Sequence, residues 1–421
     1  MTKKIVLLGS GETAPTMVKV HRSIFNELIQ PHKAIMLDTP FGFQANAEEI
    51  SAKAADYFRI SINEKIDTAS LKNFEKASAY EIERFRELVA SSNYIFAGPG
   101  SPTYALRQWL KVDLASLLAK KLQSDFAIVF SSAAVLTLGR YTIPVYEIYK
   151  VGEDPRLHDG LDFLAAIGLN VLVIPHYNNQ EGGSHDTRYC YMGKDRLPIL
   201  ESQMEATTSI LGIDEHTGLI IDLEIDEVTV VGIGTITIRR HGKSSSYPSG
   251  ETFSFNDFKA LLSGENSYDF ADIVSSDKKT IVTSHDQDAT TSPLHTSLVE
   301  LEEEFNTSYS EKNASRALDA ILKIEDVLEQ WRADTLQSDD FDFGRSLLRS
   351  CIARLGEWLE IGSVDKKSVI APFVEILIEL RKTFRDERRF SDADFLRDSL
   401  TKAGIEVQDQ SSGTYWTLIT G

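Results

Sequence analysis

Asp125-Phe126-Ala127-Ile128-Val129-Phe130-Ser131-Ser132-Ala133-Ala134-Val135-Leu136 joins an unbroken apolar run to two serines followed by small residues. Such a run predicts a strand buried on both faces that passes sharply into a helix. In α/β enzymes a nucleophile occupies a turn of this kind. Small neighbours tolerate the strain, the next backbone N–H can hold an oxyanion, and the helix N-terminus favours negative charge. Ser132 holds that position. Two later runs end in matching residues: His176 follows Val171-Leu172-Val173-Ile174-Pro175, and Glu215 follows Ile210-Leu211-Gly212-Ile213-Asp214. Base and orienter would then project from the carboxyl ends of strands, where open α/β sheets bind ligands. A Ser132, His176, Glu215 triad is the expectation. The structural alternative is a buried Ser132 that caps the following helix.

The chain has 421 residues and a formal net charge of −19, so two or three domains are expected and nonspecific attraction to nucleic acid or anionic membrane is disfavoured. Cys190 and Cys351 are too few for a disulfide framework or a four-thiolate zinc site, which points to a reducing, cytoplasmic setting. The apolar run at 5–8 is too short for a signal segment and breaks at Gly9-Ser10-Gly11, and no later run is long enough to span a membrane.

Outward from the serine turn, β-branched runs at 4–8, 34–37, 94–97, 127–130, 171–174 and 219–221 alternate with amphipathic windows at 45–58, 79–91 and 103–120. This pattern predicts an α/β fold with a mostly parallel sheet covered by helices on both faces. The runs 227–232 and 235–240 read as a hairpin closing a domain over 1–262. A Ser/Asp/Thr-rich linker is expected over 263–292, and a helical domain over 293–421. Its helix at 368–388 would be anchored by Phe373, Ile376, Leu377, Leu380 and Phe384. One more short helix then leads to a small terminal mini-domain with a strand or turn around 413–416.

Taken together, Gly9-Ser10-Gly11-Glu12, Gly98-Pro99-Gly100-Ser101, Phe130-Ser131-Ser132-Ala133-Ala134, Ile174-Pro175-His176-Tyr177 and Gly212-Ile213-Asp214-Glu215 resemble the dipeptidase E and cyanophycinase family. The resemblance covers roughly residues 4–240. It implies serine peptidases with a class I glutamine amidotransferase-like fold, with Ser132 on the nucleophile of the family's elbow, His176 on the general base and Glu215 on its orienting acid. It also implies an oxyanion hole built from Gly98 or Gly100, since Pro99 has no N–H, together with Ala133. The chain departs from the family at Phe130 and Ala134, where the elbow pattern has glycine. A phenyl ring beside the elbow would reshape or block the pocket.

The polar loop 178–188 after His176 is expected to line the substrate pocket, with Ser101 and His185 among the substrate-binding residues. By the same resemblance Arg188 matches the arginine that receives an acidic substrate group, for which a bidentate guanidinium fork is suited. The alternative pairs Arg188 with Asp186 or Glu181 and pins the loop. A metal site from His176, His185, Asp186 and His216 is disfavoured because no closely spaced ligand pair shares one element, so neither metal nor cofactor is expected. Cys190 lacks an elbow and reads as a small residue packed between aromatics. Gly9-Ser10-Gly11 is only a partial dinucleotide fingerprint.

Residues 377–416, with Ala393-Asp394-x-x-Arg397-Asp398-x-Leu400 and Gly413-Thr414-x-Trp416, resemble the C-terminal end of cysteinyl-tRNA synthetase. The signatures of its catalytic half, His-Ile-Gly-His and Lys-Met-Ser-Lys-Ser, do not occur, so aminoacylation is not expected. From residue 293 onward there are 16 Lys and Arg against 25 Asp and Glu, a formal charge of −9 that disfavours RNA binding. The local stripe Arg381, Lys382, Arg385, Arg388 and Arg389 reads as a solvated face with salt bridges to Asp386, Glu387 and Asp392, and Trp416 as a lid on the small core. The functional expectation is a serine hydrolase, peptidase or amidase, acting on a small peptide or amide with an acidic group. The alternative is a catalytically silent scaffold for a protein or RNA. Dimerisation, common in the resembled family, is neither supported nor opposed.

Overall fold

The first strand shows how the sheet is buried. In β1 (Lys3–Leu8) of this computed structural model, Ile5 and Leu7 enter one apolar layer while Val6 and Leu8 enter the other, the two-residue period of a strand covered on both faces. The structure describes residues 1–179, 185–264, 292–332, 338–361, 366–410 and 413–419. Two compact units divide the chain: Met1–Thr296 with Asp326–Phe341, and Ser297–Glu325 with Asp342–Gly421. Of the expected linker, residues 265–291 lie outside the described residues.

In the first unit β1 is joined by β2 (Ala34–Leu37), β3 (Ile66–Ala69), β4 (Tyr94–Ala97) and β5 (Phe126–Ser131) in the parallel order β1-β5-β4-β2-β3. The short pair β6 (Tyr141–Thr142) and β7 (His158–Asp159) precedes a second sheet that begins with β8 (Val171–Ile174) and β9 (Ser209–Ile213), which are parallel to each other. Strands β10 (Thr217–Asp222) and β11 (Glu227–Gly232) extend the first sheet antiparallel beyond β1, β12 (Thr235–Arg240) and β13 (Lys243–Pro248) complete the second, and β14 (Thr252–Ser254) edges the first. The expected hairpin is therefore corrected. β11 and β12 belong to different sheets, because Gly232 and Gly234 turn the chain tightly over Asp214–Thr217. A Cβ on Gly232 would lie 2.2 Å from the His216 carbonyl oxygen, and the Gly234 N–H donates to Thr217 Oγ1 at 2.9 Å.

Helices α1 (Val18–Glu27) and α2 (Ala47–Tyr57) pack on the Val6, Met36, Phe96 and Val129 face. Helices α3 (Ala79–Ser91), α4 (Pro102–Val112) and α5 (Leu114–Lys121) cover the opposite face with Ile5, Ile95, Ile128 and Phe130. Ser78 and Glu81 form a capping box on α3, and Ser101 caps α4 with Pro102 in its first turn. The single helix expected over 103–120 is two, because Asp113 takes a left-handed conformation between them. Then come the four-residue α6 (Ser132–Val135), the kinked turn α7 (Arg188–Tyr191), α8 (Gly193–Glu201) and α9 (Phe255–Ser263).

Close backbone approach sets the relation of the two sheets. A Cβ on Gly9 would fall 2.0 Å from the Asp214 carbonyl oxygen and 2.6 Å from that of Ile213. Gly9→Ala is expected to cost about 1–3 kcal/mol through overpacking and to lower the thermal midpoint. Gly356→Ala is the control: it meets nothing within 4 Å in mid-helix and should stabilise by about 0.5–1 kcal/mol. Equal midpoints for the two variants would refute the assignment.

The helical remainder comprises α10 (Pro293–Ser310), α11 (Ala314–Gln330), α12 (Ser338–Ile361), α13 (Lys366–Asp386) and α14 (Phe390–Lys402), followed by the antiparallel pair β15 (Ile405–Gln410) and β16 (Gly413–Leu418). The anchoring face of α13 differs from the one expected. Val374, with Ile370, Leu377 and Ile378, packs against Leu400, Ile405 and Trp416, whereas Phe373, Ile376 and Leu380 are exposed. The small sheet takes the neighbouring face of the helix because Arg381, 4% exposed, makes a two-point salt bridge to Asp409 at 2.9 and 2.8 Å. Arg385 also reaches Asp409, and Arg389 pairs with Glu387 and Asp392. Trp416 packs on this core, with Lys367 over its ring. Among the described residues no helix is long and apolar enough to cross a membrane.

Candidate active site

The site grows from the ends of β5, β8 and β9. Ser132, the first residue after β5, has φ 49°, and His176, two residues beyond β8, has φ 50°. Non-glycine residues in this region store strain that the surrounding fold must hold in place. Ser132 Oγ lies 2.9 Å from His176 Nε2, and His176 Nδ1 lies 2.9 Å from Glu215 Oε1. With a carboxylate accepting at Nδ1, the neutral imidazole carries its proton there and Nε2 is left to accept from the serine hydroxyl. All three residues lie just beyond the carboxyl ends of strands, so their spacing is set by sheet register and not by local sequence.

Glu215 is held by two asparagines that sequence reasoning placed only in a polar loop. Asn179 Nδ2 donates to Glu215 Oε1 at 3.1 Å, and Asn178 Oδ1 accepts the Glu215 N–H at 2.8 Å. Their position directly after His176 was the available signal. Burial pushes the Glu215 carboxyl up, but the hydrogen bond and charge of His176, with His216 and Asn179, outweigh it and hold the group below its ordinary value. Such a carboxylate adds stability that is present above its unfolded-state pKa and lost as pH falls through the native one. Glu215→Gln is therefore expected to flatten the acid side of a plot of urea midpoint against pH. An unchanged slope below the ordinary glutamate range would refute the coupling.

A cavity of about 80 Å³ opens beside Ser132 and is lined by Gly100, Ala133, Tyr146, His176 and Cys190 among others. Of the three residues expected to form an oxyanion hole, Gly100 and Ala133 face this cavity, while Gly98 lines a neighbouring one of about 30 Å³. Gly100 has φ 141°, and a Cβ there would lie 2.1 Å from the Pro40 carbonyl oxygen; only glycine fits. Phe130 does not enter the cavity. It is fully buried, with its ring 5.6 Å from that of Trp109, because strand alternation sends it with Phe126 and Ile128 into the layer under α3–α5.

Each of the expected substrate-binding residues has a partner within the chain. Ser101 Oγ accepts the Tyr104 N–H as the cap of α4. His185 Nε2 lies 2.9 Å from the Tyr149 hydroxyl. Arg188 pairs with Asp186: its Nε and one terminal nitrogen donate to the two carboxylate oxygens at 2.9 and 2.8 Å. Asp186 also accepts the Arg188 and Lys194 N–H groups, and the guanidinium holds its carboxyl well below the usual range. Residues 180–184, with Glu181, lie outside the described residues. Each of the four residues weighed as metal ligands has its own partner: His176 bonds Glu215, His185 approaches Tyr149, Asp186 holds Arg188, and His216 Nδ1 sits 3.2 Å from Thr16 Oγ1 under Trp331. Among the described residues no cluster of three or more such side chains could hold a metal ion. Cys190 is buried at the cavity wall, and its N–H donates to the His176 carbonyl at 3.2 Å.

One buried acid was overlooked. Glu12, 4% exposed, accepts the Ser131 hydroxyl at Oε2 over 2.7 Å, next door to the elbow. An acid closing the first glycine turn at the end of β1 was its signal.

No family model matches the chain. Similar curated proteins are cysteine–tRNA ligases, among them that of Dehalococcoides mccartyi, 35% identical over 106 residues, 25% of this chain and 22% of that protein. The ligase of Carboxydothermus hydrogenoformans is 42% identical over 63 residues, 14% of each. The chain spans less than a quarter of the length of these relatives. Among solved structures, a peptidase from an acI-B1 Actinobacterium is similar over 61% of this chain and 98% of its own, at 21% identity and a TM-score of 0.48. A putative peptidase E from Listeria monocytogenes EGD-e is similar over 56% of this chain and all of its own, at 14% identity and a TM-score of 0.38. The likeness to these two structures covers more of the chain than the likeness to the cysteine–tRNA ligases, which involves only a minor part of those proteins.

Proposed function

We propose that the protein is a serine hydrolase, a peptidase or amidase acting on a small amide. The continuous bonding from Ser132 Oγ through His176 to Glu215, at 2.9 Å in each step, carries this reading. His176 Nε2 takes the hydroxyl proton as Ser132 Oγ attacks the amide carbonyl carbon, and Glu215 holds the imidazolium that forms. The backbone N–H groups of Ala133 and the glycine turn face the oxyanion. His176 then protonates the leaving nitrogen as the C–N bond breaks, leaving an ester on Ser132. Water, deprotonated by His176, hydrolyses that ester and restores the serine.

The narrow cavity suits a small acyl group. An acidic group on the substrate would reach Arg188 by exchanging places with Asp186, so a comparison of aspartyl and neutral dipeptides decides that preference. The test of the reaction class is intact mass after exposure to a fluorophosphonate serine probe at neutral pH. One adduct per chain on the wild type, absent from Ser132→Ala, supports the reading; a folded wild type without adduct would reject it.

A further inference from the structure

The carboxyl group of Glu12 touches both segments that frame the oxyanion position. Oε2 accepts from Ser131 Oγ, on the residue before the elbow, at 2.7 Å. Oε1 stands where a Cβ added to Gly98 would approach it to 3.0 Å, so the acid packs directly on the first residue of the glycine turn. The Gly98 carbonyl in turn accepts the Ala134 N–H at 3.3 Å. Elbow, acid and glycine turn thus form a closed ring of contacts. The backbone of Glu12 is anchored as well: its carbonyl accepts from His21 Nε2 at 2.7 Å, while His21 Nδ1 lies 2.6 Å from the Tyr94 hydroxyl. Burial lowers His21 to about 4, so the ring is neutral at ordinary pH. Its proton sits on Nε2, because a carbonyl only accepts.

We propose that Glu12 is a positioning residue for the hydrolytic site, setting the separation between the Ala133 N–H and the glycine turn so that both donors meet one oxyanion. The inference rests on the hydrolase reading of Ser132. A polar network of this kind is worth building only where geometry matters, since a buried acid without partners is costly. Burial raises the Glu12 carboxyl, against the Ser131 hydrogen bond, its own N–H and the charge of His176. The groups that face it are Ser131 at the end of β5, His176 after β8 and Lys53 of α2, which lines the same small cavity, while His21 on α1 holds the Glu12 backbone carbonyl. Ionisation of Glu12 would set a second negative charge beside the developing oxyanion and oppose the attack.

The rate of fluorophosphonate labelling, followed against pH, tests the proposal. Glu12→Ala and Ser131→Ala should each label about tenfold to a hundredfold more slowly than wild type, as expected for donors displaced by a fraction of an ångström. Glu12→Gln keeps an acceptor for Ser131 and cannot ionise. It should label within about threefold of wild type at neutral pH, yet lose the decline that wild type shows at high pH, a change that a merely structural residue would not produce. Circular dichroism establishes that each variant is folded, and Ser131→Ala, which removes a single hydroxyl, serves if the Glu12 variants are not. A labelled wild type whose rate and pH profile are shared by Glu12→Gln and Ser131→Ala would overturn the role of Glu12 alone. An unlabelled wild type would remove the hydrolase reading and this inference with it.

Discussion

Ser132→Ala is expected to lower hydrolytic turnover by about 10⁴- to 10⁶-fold while leaving the fold intact. The hydroxyl occupies the one position from which His176 Nε2 can draw a proton, 2.9 Å away, and alanine removes nucleophile and proton together without adding bulk. Turnover of an aspartyl or neutral dipeptide and mass-detected labelling read the effect; a Ser132→Ala protein as active as wild type would sink the assignment. Glu215→Gln extends the argument. The amide N–H₂ would donate to His176 Nδ1, placing the ring proton on Nε2, where it faces the serine and cannot accept. A loss of about 10⁴-fold is expected from this tautomer change with little movement of the ring. His176→Ala should match Ser132→Ala, and the double variant should be no worse than either single one, because residues that act as a unit are not additive.

Phe130→Ala is expected to produce the largest loss of stability, about 3–5 kcal/mol, from the lost transfer energy of the ring and the cavity left behind. Phe130 is fully buried and packs on Trp109, also fully buried, between the central strand β5 and helix α4. Nothing around it is positioned to collapse into the space, because Ile128, Phe126 and Leu106 belong to rigid elements of the same layer. Chemical denaturation monitored by tryptophan fluorescence would measure the change. At temperatures where the variant stays folded, Ser132 should still label, since the ring points away from the cavity. Loss of labelling with unchanged stability would mean that Phe130 shapes the pocket after all.

Phe130 also shows where sequence reading stops. The pattern of the resembled family has glycine there, so the sequence alone set a phenyl ring beside the elbow. In the fold, two-residue alternation along β5 turns that ring into the layer opposite the one holding Val129, and the departure becomes a matter of core packing. Arg188 is similar. Its chemistry was legible as a carboxylate fork, and the fold sets that fork on Asp186, two residues away, which also accepts the Lys194 N–H.

By itself the sequence determined the α/β character of the first unit, the positions of β1, β2, β4, β5 and β8, and the candidate residues Ser132, His176 and Glu215, because periodicity, glycine turns and residue chemistry are local properties that survive without a fold. Tertiary structure decided the rest. It drew β11 and β12 into separate sheets, chose which face of α13 is covered, and brought Glu12, Asn178 and Asn179 to the site. Each of these depends on contacts between residues far apart in the chain, such as the Glu12–Ser131 hydrogen bond across 119 positions. Only strand register and close backbone packing, which no local pattern encodes, bring such residues together.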